Sequence, residues 1–145
     1  MLVRDYMTTK VTTLPQDSRL LDAALIIRRS GKRHVPIVNG DGVVVGMVSD
    51  RDVSRAAPSM LSKMTPEEYN QIFESTPIEV VMSTNVITIS PNDDVSRAAS
   101  LLYTKKIGAL PVVEDGKLVG IVTGTDMLAL LNELLGKPAE SPASD

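Results

Sequence analysis

Two short strings in this chain of 145 residues carry residue types that could hold a phosphorylated, hydroxyl-bearing ligand. They read Gly46-Met47-Val48-Ser49-Asp50-Arg51-Asp52 and Gly120-Ile121-Val122-Thr123-Gly124-Thr125-Asp126. On local physics alone, Ser49 with Asp52 and Thr123 with Asp126 are capping boxes at helix starts, with Asp in the usual Glu or Gln place. The same geometry can serve a ligand. A helix start offers unpaired N–H groups and a positive dipole end to a phosphate, and the hydroxyl adds a donor. A carboxylate one turn on can accept from two ribose hydroxyls. Both readings stand together if Asp caps when the site is empty and turns to ribose when it is filled.

Three further side chains lie close in sequence to the first string. Arg51 suits phosphate, because a guanidinium pairs with phosphate oxygens two at a time. Arg33 and His34 precede an apolar run. His34 has two readings, a structural ring satisfied by a backbone carbonyl or a phosphate partner beside the two arginines. The second string has Gly108, Ala109 and Thr125 at the matching places and no such charge.

Other chemistries are excluded or disfavoured. The absence of cysteine rules out disulfides, thiol nucleophiles and thiolate metal sites, and a lone histidine gives no imidazole pair for zinc or iron. No nucleophile–base pairing and no P-loop glycine string is present, so no enzyme is expected. A formal charge of −3 argues against nucleic acid, which needs a basic surface. The apolar stretch Val43 to Val48 is far short of the ~20 residues that span a bilayer, and Arg4 and Asp5 stand where a secretory signal needs an apolar run. A cytoplasmic protein without a membrane partner is therefore expected.

The elements that must position these residues come in two copies. An offset of 75 residues lays Val11-Thr12-Thr13-Leu14 on Val86-Ile87-Thr88-Ile89, Met7 on Met82, Ala23-Ala24 on Ala98-Ala99 and Pro36 on Pro111. The turn Asn39-Gly40-Asp41-Gly42 is one residue longer than Glu114-Asp115-Gly116, so the offset becomes 74 and Asp52 meets Asp126. Each copy reads β-α-β-β-α. A short strand (Val11–Leu14, Val86–Ile89) leads to a helical pattern through Leu20, Leu21, Ala24 and Ile27, or Val95, Ala98, Ala99 and Leu102. Two apolar strands joined by an Asp-Gly turn follow, Val35–Val38 to Val43–Val48 and Leu110–Val113 to Leu118–Val122. A helix closes each copy, from about Asp50 and about Gly124.

Between the copies, Thr65-Pro66-Glu67-Glu68 opens a short helix through Phe73. Its Tyr69, Ile72 and Phe73 either cover the edge between the halves or form a lid or docking face. The last helix carries Met127, Leu128, Leu130, Leu131, Leu134 and Leu135, more apolar surface than one stripe requires. The excess either packs on its own sheet or makes a dimer contact. The reading divides the chain into a first motif over 1–56, a connecting segment over 57–77, a second motif over 78–135 and a disordered tail over 136–145.

Here the residues match a family. Val3-Arg4-Asp5-Tyr6-Met7, Arg33-His34-Val35-Pro36, the hairpins and both Gly-to-Asp strings resemble the tandem cystathionine-beta-synthase (CBS) motif pair, or Bateman module. The chain is most similar to stand-alone CBS proteins of the acetoin-utilisation type. The resemblance implies an α/β (α+β) fold of two β-α-β-β-α units about a pseudo-two-fold axis, usually as a disc-shaped homodimer. It also implies clefts for an adenine-containing ligand such as AMP, ADP, ATP or S-adenosylmethionine, whose occupancy is passed to an effector protein. In the family, adenine lies between aliphatic side chains and bonds to backbone near the first strand and before the hairpin proline. On this chain that implies Thr13, His34, Val35 and Pro36 for one site and Thr88, Ala109, Leu110 and Pro111 for the other. Asp52 and Asp126 would hold ribose, and Ser49 and Thr123 would lie at the phosphates. Arg33 and Arg51 would make the first site the tighter one for phosphorylated ligands. The competing reading is a structural or dimerising module with vacant clefts.

Overall fold

The computed structural model describes residues 1–59 and 62–136, so all of the tail expected over 136–145 but Gly136 lies outside them. The first motif contains β1 (Leu14–Pro15), α1 (Leu20–Ser30), β2 (His34–Val38), β3 (Val44–Ser49) and α2 (Asp50–Ala56). The connecting helix is α3 (Pro66–Ser75), and the second motif contains α4 (Val95–Lys105), β4 (Ala109–Glu114), β5 (Lys117–Thr123) and α5 (Gly124–Leu134).

The two closing helices begin where the hydroxyl residues predict. Ser49 accepts from the Asp52 backbone N–H while the Asp52 carboxylate accepts from the Ser49 backbone N–H, and Thr123 and Asp126 repeat the exchange. Asp94 caps α4 by accepting from the Ser96 backbone N–H at 2.9 Å, which holds its carboxyl below the usual carboxylate range. Thr65 caps α3 with Pro66 in the first turn.

The hairpins β2–β3 and β4–β5 are antiparallel, and both shift register at the same place, between Ile37 and Val38 and between Val112 and Val113. The second hairpin turns on Asp115 and Gly116, both at positive φ, the conformation of a tight two-residue turn. The longer first turn is held by Asn39, whose side-chain oxygen accepts from the backbone N–H groups of Asp41 and Val43.

The lead strands are shorter than the sequence suggests. Only Leu14–Pro15 pairs with β2, in parallel, and in the second copy the pairing shrinks to one bridge between Ile89 and Val112. The residues ahead of them leave the sheet: Val86 and Ile87 line a cleft, and Thr13 lines a small cavity.

Packing does not follow the division at residues 56 and 78. The 3-10 turn Val3–Asp5 opens the first motif, yet Val3 is buried with Ile89, Ala98, Leu110, Val112 and Val122 of the second. The turn Ile78–Val80 opens the second motif, yet Ile78 is buried with Leu14, Ala23, Val35, Ile37 and Val48 of the first. Two methionines repeat the exchange. Met7 lies on Gly120, where a Cβ would come within 2.6 Å of its sulfur, and Met82 lies on Gly46, where the distance would be 2.3 Å. Backbone pairs lock both crossings, Thr8 with Ile121 and Ser83 with Met47. The halves are thus one folding unit with two cores, each completed by a segment of the other motif.

Helix α3 covers the first motif's helices rather than the edge between the halves. Its Tyr69 and Phe73 rings, 5.1 Å apart, line a groove with α1 and α2. In α5, Leu130 is the buried leucine, while Leu128, Leu131, Leu134 and Leu135 stand exposed by half or more. The excess apolar surface of α5 therefore does not pack on its own sheet.

Candidate functional site

A cleft of about 480 Å³ opens between the two motifs. One wall comes from the first motif. The end of β2 presents Arg33 and His34, and the β3–α2 junction presents Ser49, Asp50, Arg51 and Asp52. The facing wall belongs to the second motif and is mainly apolar, with Val86, Ile87, Ile107 and Ala109. Three cations, Arg33, Arg51 and Lys106, and two carboxylates, Asp50 and Asp52, line the cleft.

Local chemistry explains how Ser49 and Asp52 are held. Ser49 Oγ accepts from the Asp52 backbone N–H at 3.2 Å, and Asp52 Oδ2 accepts from the Ser49 backbone N–H at 2.8 Å and from Ser49 Oγ at 3.0 Å. Because α2 is only seven residues long and its first turn is capped, ligand chemistry at this end belongs to the side chains rather than to a helix dipole. At the second junction Thr123 and Asp126 make the same capping bonds, and Asp126 Oδ1 accepts a further bond from Thr8 Oγ1 at 3.0 Å. The counterpart of Thr8 is Ser83, which lines the cleft at Asp52. The two junctions are therefore alike in capping and unlike in what already engages the aspartate.

The cleft regroups the residues that the family resemblance divides between two sites. Arg33, His34, Ser49, Arg51 and Asp52 meet Ala109 of the other motif. Thr13 lies elsewhere, in a cavity of about 240 Å³ with Thr9, Val11 and Leu118. Thr88 is exposed and outside the lining of the 480 Å³ cleft. Val35, Pro36, Leu110 and Pro111 are fully buried strand residues, so their side chains frame the core, not a cleft wall. Thr123 is buried and Asp126 half-buried at the second junction.

Gly108 acquires a different meaning in three dimensions. In the aligned copies it reads as the loss of Arg33. A Cβ on Gly108 would lie 2.4 Å from His34 Nε2, so the imidazole fills the space a side chain would need. Sequence reasoning missed several lining residues, Asp50, Ser83, Asn85, Val86, Ile87 and Ile107 among them, and the one that adds a cation is Lys106. It ends α4 at φ 53, a left-handed conformation, where the first copy ends α1 with Gly31 at φ 72. Lysine there costs about 1 kcal/mol relative to glycine. The repeat alignment sets Lys106 over Gly31, and that mismatch was the available signal.

Comparison with known proteins agrees with this architecture. The family model for the CBS domain matches residues 3–59 and 78–133. The chain is similar to a solved acetoin utilization protein (AcuB) from Vibrio cholerae, at 33% identity and TM-score 0.78, over 94% of this chain and 93% of that one. It is also similar to the CBS domain pair of protein MJ0100, solved with 5′-methylthioadenosine and S-adenosyl-L-methionine, at 28% identity and TM-score 0.76, over 92% of this chain and 98% of that one. A homoserine O-acetyltransferase of Methanococcoides burtonii is 31% identical over 135 residues, 92% of this chain but 24% of that protein. The chain thus spans about a quarter of the length of several curated relatives it matches. No described helix is long and apolar enough to cross a membrane. With two matched copies, crossed lead-in segments and a cleft between the motifs, the chain belongs to the CBS domain family.

Proposed function

We propose that this chain is a regulatory, non-catalytic module that binds an adenine nucleotide or adenosyl ligand between its motifs and passes occupancy to an effector protein. The observation that carries the reading is the 480 Å³ cleft, lined by Ser49, two carboxylates and three cations together with the aliphatic Val86, Ile87, Ile107 and Ala109. An adenine ring fits between aliphatic side chains, a ribose fits Asp52, and phosphate fits Arg33, Arg51 and Lys106. The MJ0100 pair, held with two adenosyl compounds, supports this ligand class. AMP, ADP, ATP and S-adenosylmethionine are the candidates, and the cations favour the phosphorylated ones. The exposed leucines of α5 support a homodimer.

Thermal melting with a ligand panel tests the reading. Ligand at a hundred times its Kd adds about 2.7 kcal/mol, which raises the melting temperature by roughly 5–10 °C for a chain of this size. A panel in which no adenine compound moves the transition would establish the vacant, structural alternative.

The cations make a finer prediction. Arg51→Ala and Lys106→Ala should each weaken ATP or AMP by about two- to tenfold, since exposed charge pairs contribute little and better-formed ones more. Adenosine affinity should stay unchanged, and the nucleotide preference should shrink with added salt. Equal losses for adenosine and ATP, measured by calorimetry, would place these side chains away from the phosphates.

A further inference from the structure

Asp50 is the acid in the cleft that ribose and phosphate binding leave without a task. It opens α2, where its Oδ1 accepts from the Arg51 backbone N–H at 3.0 Å and its own N–H donates to the Arg33 carbonyl at 3.0 Å. The Asp52 N–H, next along, donates to Ser49 Oγ. The first three N–H groups of α2 therefore already end on protein oxygens, and an anion that approaches this turn meets a carboxylate. The second junction is built without it. Asp50 corresponds to Gly124, where an added Cβ would meet nothing within 4 Å. The Gly124 N–H makes the matching bond, to the Gly108 carbonyl at 3.4 Å. The same strand-to-helix turn thus forms with or without the acid, so local folding does not require Asp50.

Charge gives it a role. With Asp52 turned to ribose, Asp50 is the negative charge left in the cleft beside Arg33, Arg51 and Lys106. A phosphate monoester carries about two negative charges at neutral pH, and each further phosphate adds about one more. Three cations offset by Asp50 balance a monophosphate. A longer chain brings its added charge against a fixed carboxylate, at a cost that grows with the number of phosphates. Resting on the ligand reading above, we infer that Asp50 determines specificity: it limits the phosphate chain, so that the cleft prefers AMP to ATP. The cations select for phosphate, and Asp50 selects against more than one.

Calorimetry with adenosine, AMP and ATP tests this on the parent chain, Asp50→Asn and Gly124→Asp. Asparagine keeps the side-chain oxygen that accepts from the Arg51 N–H and removes only the charge. The parent chain should bind AMP more tightly than ATP. Asp50→Asn should strengthen ATP by about three- to tenfold, AMP by less and adenosine not at all, with the gains shrinking in added salt. Gly124→Asp adds a carboxylate at the other junction and should leave the preference of the tighter event unchanged. If it shifts that preference as strongly as Asp50→Asn does, net charge rather than position decides, and the inference fails. A parent chain that prefers ATP, or an Asp50→Asn variant that moves AMP and ATP alike, overturns the inference while the ligand reading stands. A parent chain that binds none of the three overturns the ligand reading and the inference with it. Asp50→Gly, which copies the second junction, replaces Asp50→Asn if that variant does not fold.

Discussion

Asp52→Ala should abolish the tighter of the binding events that calorimetry resolves for a phosphorylated adenine ligand, while Asp126→Ala leaves it in place. The two aspartates do the same local work: each caps its helix by accepting from the backbone N–H of the hydroxyl residue three positions earlier. Asp52→Ala costs about 1 kcal/mol of stability for the lost cap, and Asp126→Ala costs that and its bond from Thr8 Oγ1, so unfolding of each variant is measured beside its binding. Their surroundings differ. Asp52 lines a cleft with Arg33, Arg51 and Lys106, whereas Asp126 already accepts from Thr8 Oγ1 at 3.0 Å, a bond that a ribose hydroxyl would have to displace. Bonds to a carboxylate contribute about 1.5–3 kcal/mol, so their loss lowers affinity by roughly ten- to a hundredfold. The reverse pattern, with Asp126→Ala abolishing the tighter event, would mean that the second junction is the principal site.

Ile78→Ala should destabilise the whole chain by about 2–5 kcal/mol, a fall in melting temperature of roughly 5–15 °C. Ile78 belongs by sequence to the second motif but is fully buried in the core of the first, among Leu14, Val35 and Val48. Truncation leaves a cavity there and loosens the segment whose Ser83 pairs with Met47. Because Val3 makes the reciprocal crossing, neither motif can keep its core when the other opens. Heat should therefore unfold the variant, like the parent chain, in one transition followed alike by circular dichroism and calorimetry. Two separated transitions, with the loss confined to one, would show that the crossings do not couple the halves.

The linear sequence determined what depends on local pattern. Ser49 and Asp52, or Thr123 and Asp126, specify a helix start wherever an apolar strand delivers them, and Thr65-Pro66 does the same for α3. The Asp-Gly turns and flanking apolar runs fix the hairpins, and a single inserted residue stays in the turn because the strand alternation on both sides must keep its phase. The self-match of the two halves exposed the duplication and, with the motifs, the family. Tertiary structure alone decided which copy completes which. Val3 and Ile78 are apolar residues that either core could accept by composition, and their exchange follows from the shape of the pair rather than from any local preference. The same holds for the cleft. Asp52 and Ala109 are 57 residues apart in sequence and share it because the motifs face each other across the pseudo-two-fold axis. Gly108 reads as an absent charge along the chain and is, in space, the room that the His34 ring occupies. Periodicity and capping act over a few residues and are legible in order; contacts between copies depend on which of two similar surfaces meet, and only the folded chain makes that choice.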